Sequence, residues 1–142
     1  MTQIDFYILS DTSPNAGALF ACKLVEKAYH LKHTIYVNTH NQPQAEHLDE
    51  LLWTFNQGSF LPHTLNVQQE SCAEPIVIGN TDQSTTFHDV LINLDQQVPA
   101  FFSQFERVAE IVSGDDAARN QGRQRYKFYR DRGYALNTHN IG

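Results

Sequence analysis

Apolar residues along this chain fall into short uninterrupted or alternating runs, separated by longer stretches in which they recur every three or four positions. Ile4-Asp5-Phe6-Tyr7-Ile8-Leu9 is a β-rich run that closes at Ser10-Asp11-Thr12-Ser13, and it predicts a strand over 4–9. Ser13-Pro14 then offers a helix cap followed by proline at the first helical position, where a missing N–H costs nothing. In the helix that follows, Ala21, Leu24, Val25 and Ala28 share one face, and Lys23, Glu26, Lys27 and His30 turn elsewhere. Thr34-Ile35-Tyr36-Val37 predicts a second strand, and the long connection before it favours parallel pairing with the first.

The same alternation continues to the end. A helix over 44–55 places Ala45, Leu48, Leu52 and Phe55 on one face, and Gly58-Ser59-Phe60-Leu61-Pro62-His63 then reads as a surface loop carrying two large apolar groups. The continuous apolar runs at 76–79 and 90–94 suit central strands covered on both faces. Residues 99–105 suggest a short aromatic helix and 108–112 a further strand; Asp115 or Asp116 caps a last helix that ends near Gly133, a residue suited to the left-handed position after a helix. The expectation is one α/β domain spanning 1–142, Rossmann-like, with a mostly parallel central sheet and helices on both faces.

Composition agrees with a single globular domain: 142 residues, 41% apolar and 18% charged. A chain of this length buries roughly 68–70% of its unfolded surface, enough for a core without disulfides or structural metal. No apolar run approaches the ~18 residues of a membrane span, and Met1-Thr2-Gln3-Ile4-Asp5 lacks the basic start of a signal peptide. With Cys22 and Cys72 as its two cysteines, both expected to be free thiols, the chain reads as cytoplasmic. Charge is unevenly placed. Residues 119–132 hold Arg119, Arg123, Arg125, Lys127, Arg130 and Arg132 against Asp131, a local +5, whereas the total of −6 leaves −11 on the remainder. An acidic body of this kind disfavours broad capture of duplex DNA, yet a short anionic ligand could use the local positive field.

Catalytic signatures are missing. There is no G-x-S-x-G elbow, no Gly-rich loop ending in Lys-Ser/Thr, and no G-x-G-x-x-G after the first strand, so no nucleotide cofactor is expected. His30 with His33, or His40 with His47, could meet in space, but neither H-E-x-x-H nor Cys-x-x-Cys spacing occurs, and no metal is expected. Cys22 follows core-facing Ala21 and suits a packing or inert role better than a nucleophilic one.

The strongest signal is the last helix. At ~100° per residue from Arg119, Arg123 falls near 40°, Lys127 near 80° and Arg130 near 20°, a cationic stripe about 16 Å long, while Phe128 and Ala117 fall near 180° and 160° on the expected buried side. A solvated face offsetting the helix macrodipole would explain the same pattern. Like charges at i, i+4 spacing weaken a helix, however, and Gly122 adds a local cost of order 1 kcal/mol, so an anionic partner is the sharper reading. A direct single-stranded nucleic-acid-binding module, with Tyr126 and Tyr129 stacking on bases, would use the same stripe. A second candidate is the apolar group Trp53, Phe55, Phe60 and Leu61, which is either core or a protein interface.

Phe6-Tyr7-Ile8-Leu9, Leu48-Asp49-Glu50-Leu51-Leu52-Trp53, Ser59-Phe60-Leu61-Pro62-His63, Val90-Leu91-Ile92-Asn93-Leu94, Arg125-Tyr126-Lys127-Phe128-Tyr129-Arg130, Gly133-Tyr134 and Leu136-Asn137-Thr138, in this order and spacing, resemble the chi subunit family of bacterial DNA polymerase III nearly end to end. The resemblance implies a Rossmann-like fold that binds no nucleotide, and a non-catalytic clamp-loader accessory with two partners and only indirect contact with DNA. One partner is the psi subunit, whose surface maps to Trp53, Phe60 and Leu61. The other is the acidic, Phe-terminated tail of single-stranded DNA-binding protein, which maps to Arg119, Arg123 and Lys127, with Val112 at the apolar pocket.

Overall fold

Strand and helix alternate as β1 (Gln3–Leu9), α1 (Ala16–His30), β2 (Ile35–Thr39), α2 (Gln42–Thr54), β3 (His63–Leu65), β4 (Ile76–Asn80), β5 (Val90–Asn93), a 3-10 turn (Phe102–Gln104), β6 (Arg107–Val112), α3 (Asp116–Asp131) and β7 (Ala135–Ile141). This is a computed structural model, and it describes residues 2–55, 61–65, 74–80 and 87–141. The strands form one sheet in the order β3-β4-β2-β5-β6-β1-β7. Every pairing among them is parallel, and β1 sits between β6 and β7 with Gln3 level with both Arg107 and Ala135.

The sheet divides the core in two. On one face, Leu9, Ile35, Val37, Ile76, Ile78 and Ile92 pack with Ala21, Cys22 and Val25 of α1 and with Ala45, Leu48 and Leu52 of α2. On the other, Ile4, Phe6, Tyr36, Leu91 and Val108 pack with Phe102, Phe105 and Tyr129 of α3. Both faces of the central strands are therefore covered, which explains their unbroken apolar runs. Cys22 lies in the first of these cores, and burial pushes its thiol up to about 12, as suits an inert packing residue. Cys72 lies outside the described residues.

Several local expectations need correction. Ser13 does not cap α1: its N–H and hydroxyl are both spent on Asp11 Oδ1 (2.8 and 2.6 Å), and the helix begins at Ala16 behind Asn15, whose side chain makes no capping bond. Asn15 Oδ1 meets His47 Nε2 of α2 instead, at 3.2 Å. The second helix starts two residues earlier than its apolar spacing predicts, because Asn41 Oδ1 accepts from Gln44 N–H (3.0 Å) and Pro43 occupies the first turn. The aromatic segment after Pro99 makes one 3-10 turn in place of a short helix. Two edge strands, β3 and β7, carry no strong apolar run and have no counterpart among the expected elements; β3 begins at His63, the last residue of the expected loop, and Leu61 before it is 1% exposed.

Helix α3 starts and stops as its sequence dictates. Asp115 Oδ2 accepts from Ala118 N–H (3.1 Å) at the start. At the end Gly133 takes φ +80°, its N–H bonds Arg130 O (3.0 Å), Tyr134 N–H bonds Tyr129 O (3.2 Å), and the Tyr134 ring rests on Tyr129 with centroids 6.3 Å apart. This is a Schellman termination with its apolar contact, and it aims the chain straight into β7.

Candidate functional site

The face that α3 buries is set by Gly122, Arg125 and Tyr129. At ~100° per residue these lie near 300°, 240° and 280° from Arg119, so the buried face is centred near 270° and not near the 180° that Phe128 and Ala117 suggest. Phe128 is half-buried and Ala117 exposed. The stripe consequently starts beside the packed face at Arg119 and turns away from it until Lys127 points opposite, and this rotation brings Arg119 and Arg123 to the rim of a groove. Gly122 permits it: a Cβ there would meet Val112 Cγ2 at 2.8 Å, so the missing side chain lets α3 settle directly on β6.

The groove has a volume of about 320 Å³ and is bounded by Phe6 and Ile8 of β1, Val112 of β6, Arg119, Gly122, Arg123 and Tyr126 of α3, and Thr138 and Asn140 of β7. Its floor is apolar, and the Tyr126 ring meets Phe6 edge-on at 5.3 Å. Arg119 is held in place by its Nε bond to Gly114 O (3.0 Å), and Arg123 by Nη1 to Asn120 Oδ1 (2.8 Å). Neither guanidinium has a carboxylate partner among the described residues. Lys127 is exposed one turn further along but does not line the groove, and Arg130 pairs loosely with Asp131 at 3.5 Å on the surface. Of the residues anticipated from sequence for an acidic ligand, Val112, Arg119 and Arg123 thus meet in one place. Tyr129 is fully buried and cannot stack on a base; Tyr126 is half-buried against Phe6.

Arg125 belongs to a different structure. Its Nε donates to Glu110 Oε1 (2.8 Å) and its Nη1 to Gln96 O (3.0 Å). Tyr129 donates to Glu110 Oε2 (2.6 Å), Asn93 Nδ2 reaches both carboxylate oxygens (3.0 Å each), and Asn38 Nδ2 donates to Asn93 Oδ1 (3.0 Å). Burial pushes the Glu110 carboxyl up, while the Arg125 charge and the Tyr129, Asn93 and Arg125 hydrogen bonds pull against it. This network ties α3 to β6, β5 and β2. A second buried carboxylate, Asp5, takes Arg107 Nη2 at 2.9 Å and His139 Nε2 at 3.3 Å. Burial opposes its ionisation, but the hydrogen bonds from Arg107 and His139 with the Arg107 charge outweigh that and hold it below the usual carboxylate range. Sequence reasoning missed both networks, although Glu110 and Asp5 each interrupt an otherwise apolar strand.

The aromatic candidate separates into parts. Trp53 is 52% exposed and stacks obliquely on His63 with ring centroids 4.4 Å apart; His63 Nε2 in turn approaches Asp49 Oδ1 at 3.2 Å. Together with His47, Glu50, Leu51 and Thr54, Trp53 borders a shallow hollow on α2. Leu61 is core and supports this region from within, so it does not present its side chain to a partner. Phe60 lies outside the described residues. The hollow and the groove occupy opposite faces of the sheet and opposite halves of its strand order. Among the described residues no three His, Cys, Asp or Glu side chains gather as metal ligands, with His40 on Asp95 (2.9 Å) and His47 on Asn15, and no helix is long and apolar enough to cross a membrane.

Comparison with known proteins covers almost the whole chain. A family profile described as "DNA polymerase III chi subunit, HolC" matches residues 1–137. A Pseudomonas aeruginosa protein named DNA polymerase III subunit chi is 36% identical over 141 residues, covering 99% of this chain and 98% of that one. Proteins of the same name are 32% identical in Haemophilus influenzae, covering 96% of each chain, and 29% identical in Escherichia coli, covering 97% of each.

Proposed function

The chain belongs to the chi subunit family of DNA polymerase III, and from that premise we propose that it is a non-catalytic bridge, joining the clamp loader through psi to the acidic C-terminal tail of single-stranded DNA-binding protein. One observation carries the tail-binding part: Val112, Arg119 and Arg123, from the consecutive elements β6 and α3, border a single groove with Phe6 and Ile8 of β1, which has an apolar floor and cations on one rim. A peptide ending in phenylalanine and carrying carboxylates requires that pairing. The planar guanidinium forks suit bidentate capture of carboxylates, and Lys127 extends the positive field one turn further. The exposed Trp53 hollow on the opposite face supports a separate surface for psi.

Calorimetric titration with an acidic Phe-ended peptide and with single-stranded DNA tests the reading. The peptide binds and the DNA does not; Arg123→Ala weakens the peptide by roughly ten- to a hundredfold, the worth of a charge-assisted bond; and affinity falls as salt rises, because the rim is exposed. Unchanged affinity in a folded Arg123→Ala protein moves the peptide off this helix. DNA binding that outcompetes the peptide favours a nucleic-acid module instead.

A further inference from the structure

The open edge of the sheet runs beside the cation stripe, and we propose that the acidic peptide binds as an added strand, parallel to β7, along that edge. This rests on the peptide-binding reading above and specifies the form of peptide that the site takes.

β7 is the terminal strand of the order, and among the described residues no strand pairs with its outer side. Proteins usually blunt such an edge with lysine, proline or a bulge. Ala135-Leu136-Asn137-Thr138-His139-Asn140-Ile141 has no lysine or proline, and its register against β1 runs without interruption from Gln3↔Ala135 to Leu9↔Ile141. Ser10 N–H bonds Ile141 O (2.9 Å), which fixes the parity of the backbone. Because backbone groups alternate sides along a strand, Ala135, Asn137, His139 and Ile141 turn theirs to β1, and Leu136, Thr138 and Asn140 turn N–H and C=O outward.

Those same residues face the cations. Thr138 and Asn140 border the groove with Arg119 and Arg123. Helix α3 leaves the end of β6, beside the end of β1 where Gly114 N–H bonds Asp11 O (3.1 Å), and returns to the start of β7 at Tyr134, so it runs antiparallel to β7. Lys127 and Arg130 therefore lie toward the Ala135 end. Along α3 one cation every four residues repeats at about 6 Å. Along an extended strand every second side chain repeats at about 6.6 Å. A strand with carboxylates at alternate positions, laid on the β7 edge, presents one of them to each of Arg119 and Arg123, the two cations that border the groove with Thr138 and Asn140. With its terminal aromatic ring in the groove and its acids toward Lys127 and Arg130, it runs in the direction of β7 and extends the parallel sheet.

The probe is a synthetic peptide with acids at alternate positions and a C-terminal phenylalanine, titrated into the full chain. N-methylation of its amides at every second position, in the two opposite registers, should weaken binding by roughly tenfold or more in one register and little in the other. Hydrogen exchange at Leu136, Thr138 and Asn140 should slow on binding. Thr138→Pro, which removes an outward N–H and leaves the β1 ladder intact, should weaken the peptide, and Thr138→Val should not. Tight binding with both methylated series equal and the β7 amides unprotected overturns strand addition while leaving the groove as the binding site. Protection of the same amides by raising protein concentration alone, with no peptide, overturns it in favour of pairing with a second copy. Failure of the unmethylated peptide to bind at all overturns the reading on which it rests.

Discussion

Arg125 Nε stands 2.8 Å from Glu110 Oε1, with both side chains in the interior, so one cation of the basic segment is a fastening rather than part of its surface. Removing one partner of such a pair leaves an uncompensated buried charge, which costs about 3–5 kcal/mol. Arg125→Ala should lower unfolding free energy by that order in urea titration, and Glu110→Leu with Arg125→Met should recover most of it. An Arg125→Ala protein as stable as the original would mean that water replaces the guanidinium at no cost.

Gly122→Ala should destabilise α3 even though alanine is the better helix former. The helix propensity gain is about 1 kcal/mol. A Cβ at 2.8 Å from Val112 Cγ2 forces that side chain, 4% exposed, against its neighbours, at about 1–3 kcal/mol. Combining it with Val112→Ala should reverse the sign, and thermal melts of the single and double variants read this directly.

Asp5 predicts a feature of the acid limb. Its folded carboxyl lies below the ordinary range, so between the unfolded value of ~3.9 and the lower folded value the unfolded chain binds more protons. The stability it contributes is complete above about pH 4 and is lost as pH falls through the folded value. Asp5→Asn should be less stable near neutrality and show a shallower acid decline; parallel curves for the two proteins would exclude this role.

Trp53→Ala should weaken capture of the clamp-loader partner and leave affinity for the acidic peptide within about twofold, because the two sites share no packing face. Its stability should change by less than a buried aromatic deletion, which costs about 3–5 kcal/mol, given that half the ring is already in water. Loss of both interactions together in a folded protein would join the two surfaces into one.

The central strands and the covered faces of α1 and α2 were legible because apolar period and burial coincide there. What sequence could not place was the rotation of α3. Helical spacing names the residues that share a stripe, but the direction of the buried face was decided by Gly122, an absence of side chain, and by Arg125, a charge that a polarity count assigns to water. The edge strands were illegible for a related reason: β7 is exposed at most positions and takes its conformation from pairing with β1, not from its own pattern. Gly and Pro neighbours put Leu61 in a surface loop and left its burial open, whereas the segment just before β3 lays it in the core with Leu48 and Leu52 of α2.

The position of β1 between β6 and β7 also governs when this protein can fold. Gln3 pairs at residues Arg107 and Ala135, so β1 finds its neighbours only once β6 and then β7 have been made. At ~5–20 residues per second that wait lasts about 5 to 25 seconds, during which Ile4, Phe6 and Leu9 have no β6 or β7 to join. The half of the sheet built from β2, β3, β4 and β5 can assemble in that interval, and the half that carries the groove cannot. A nascent chain therefore completes its cationic groove after the rest of the sheet, when β1 seats between β6 and β7.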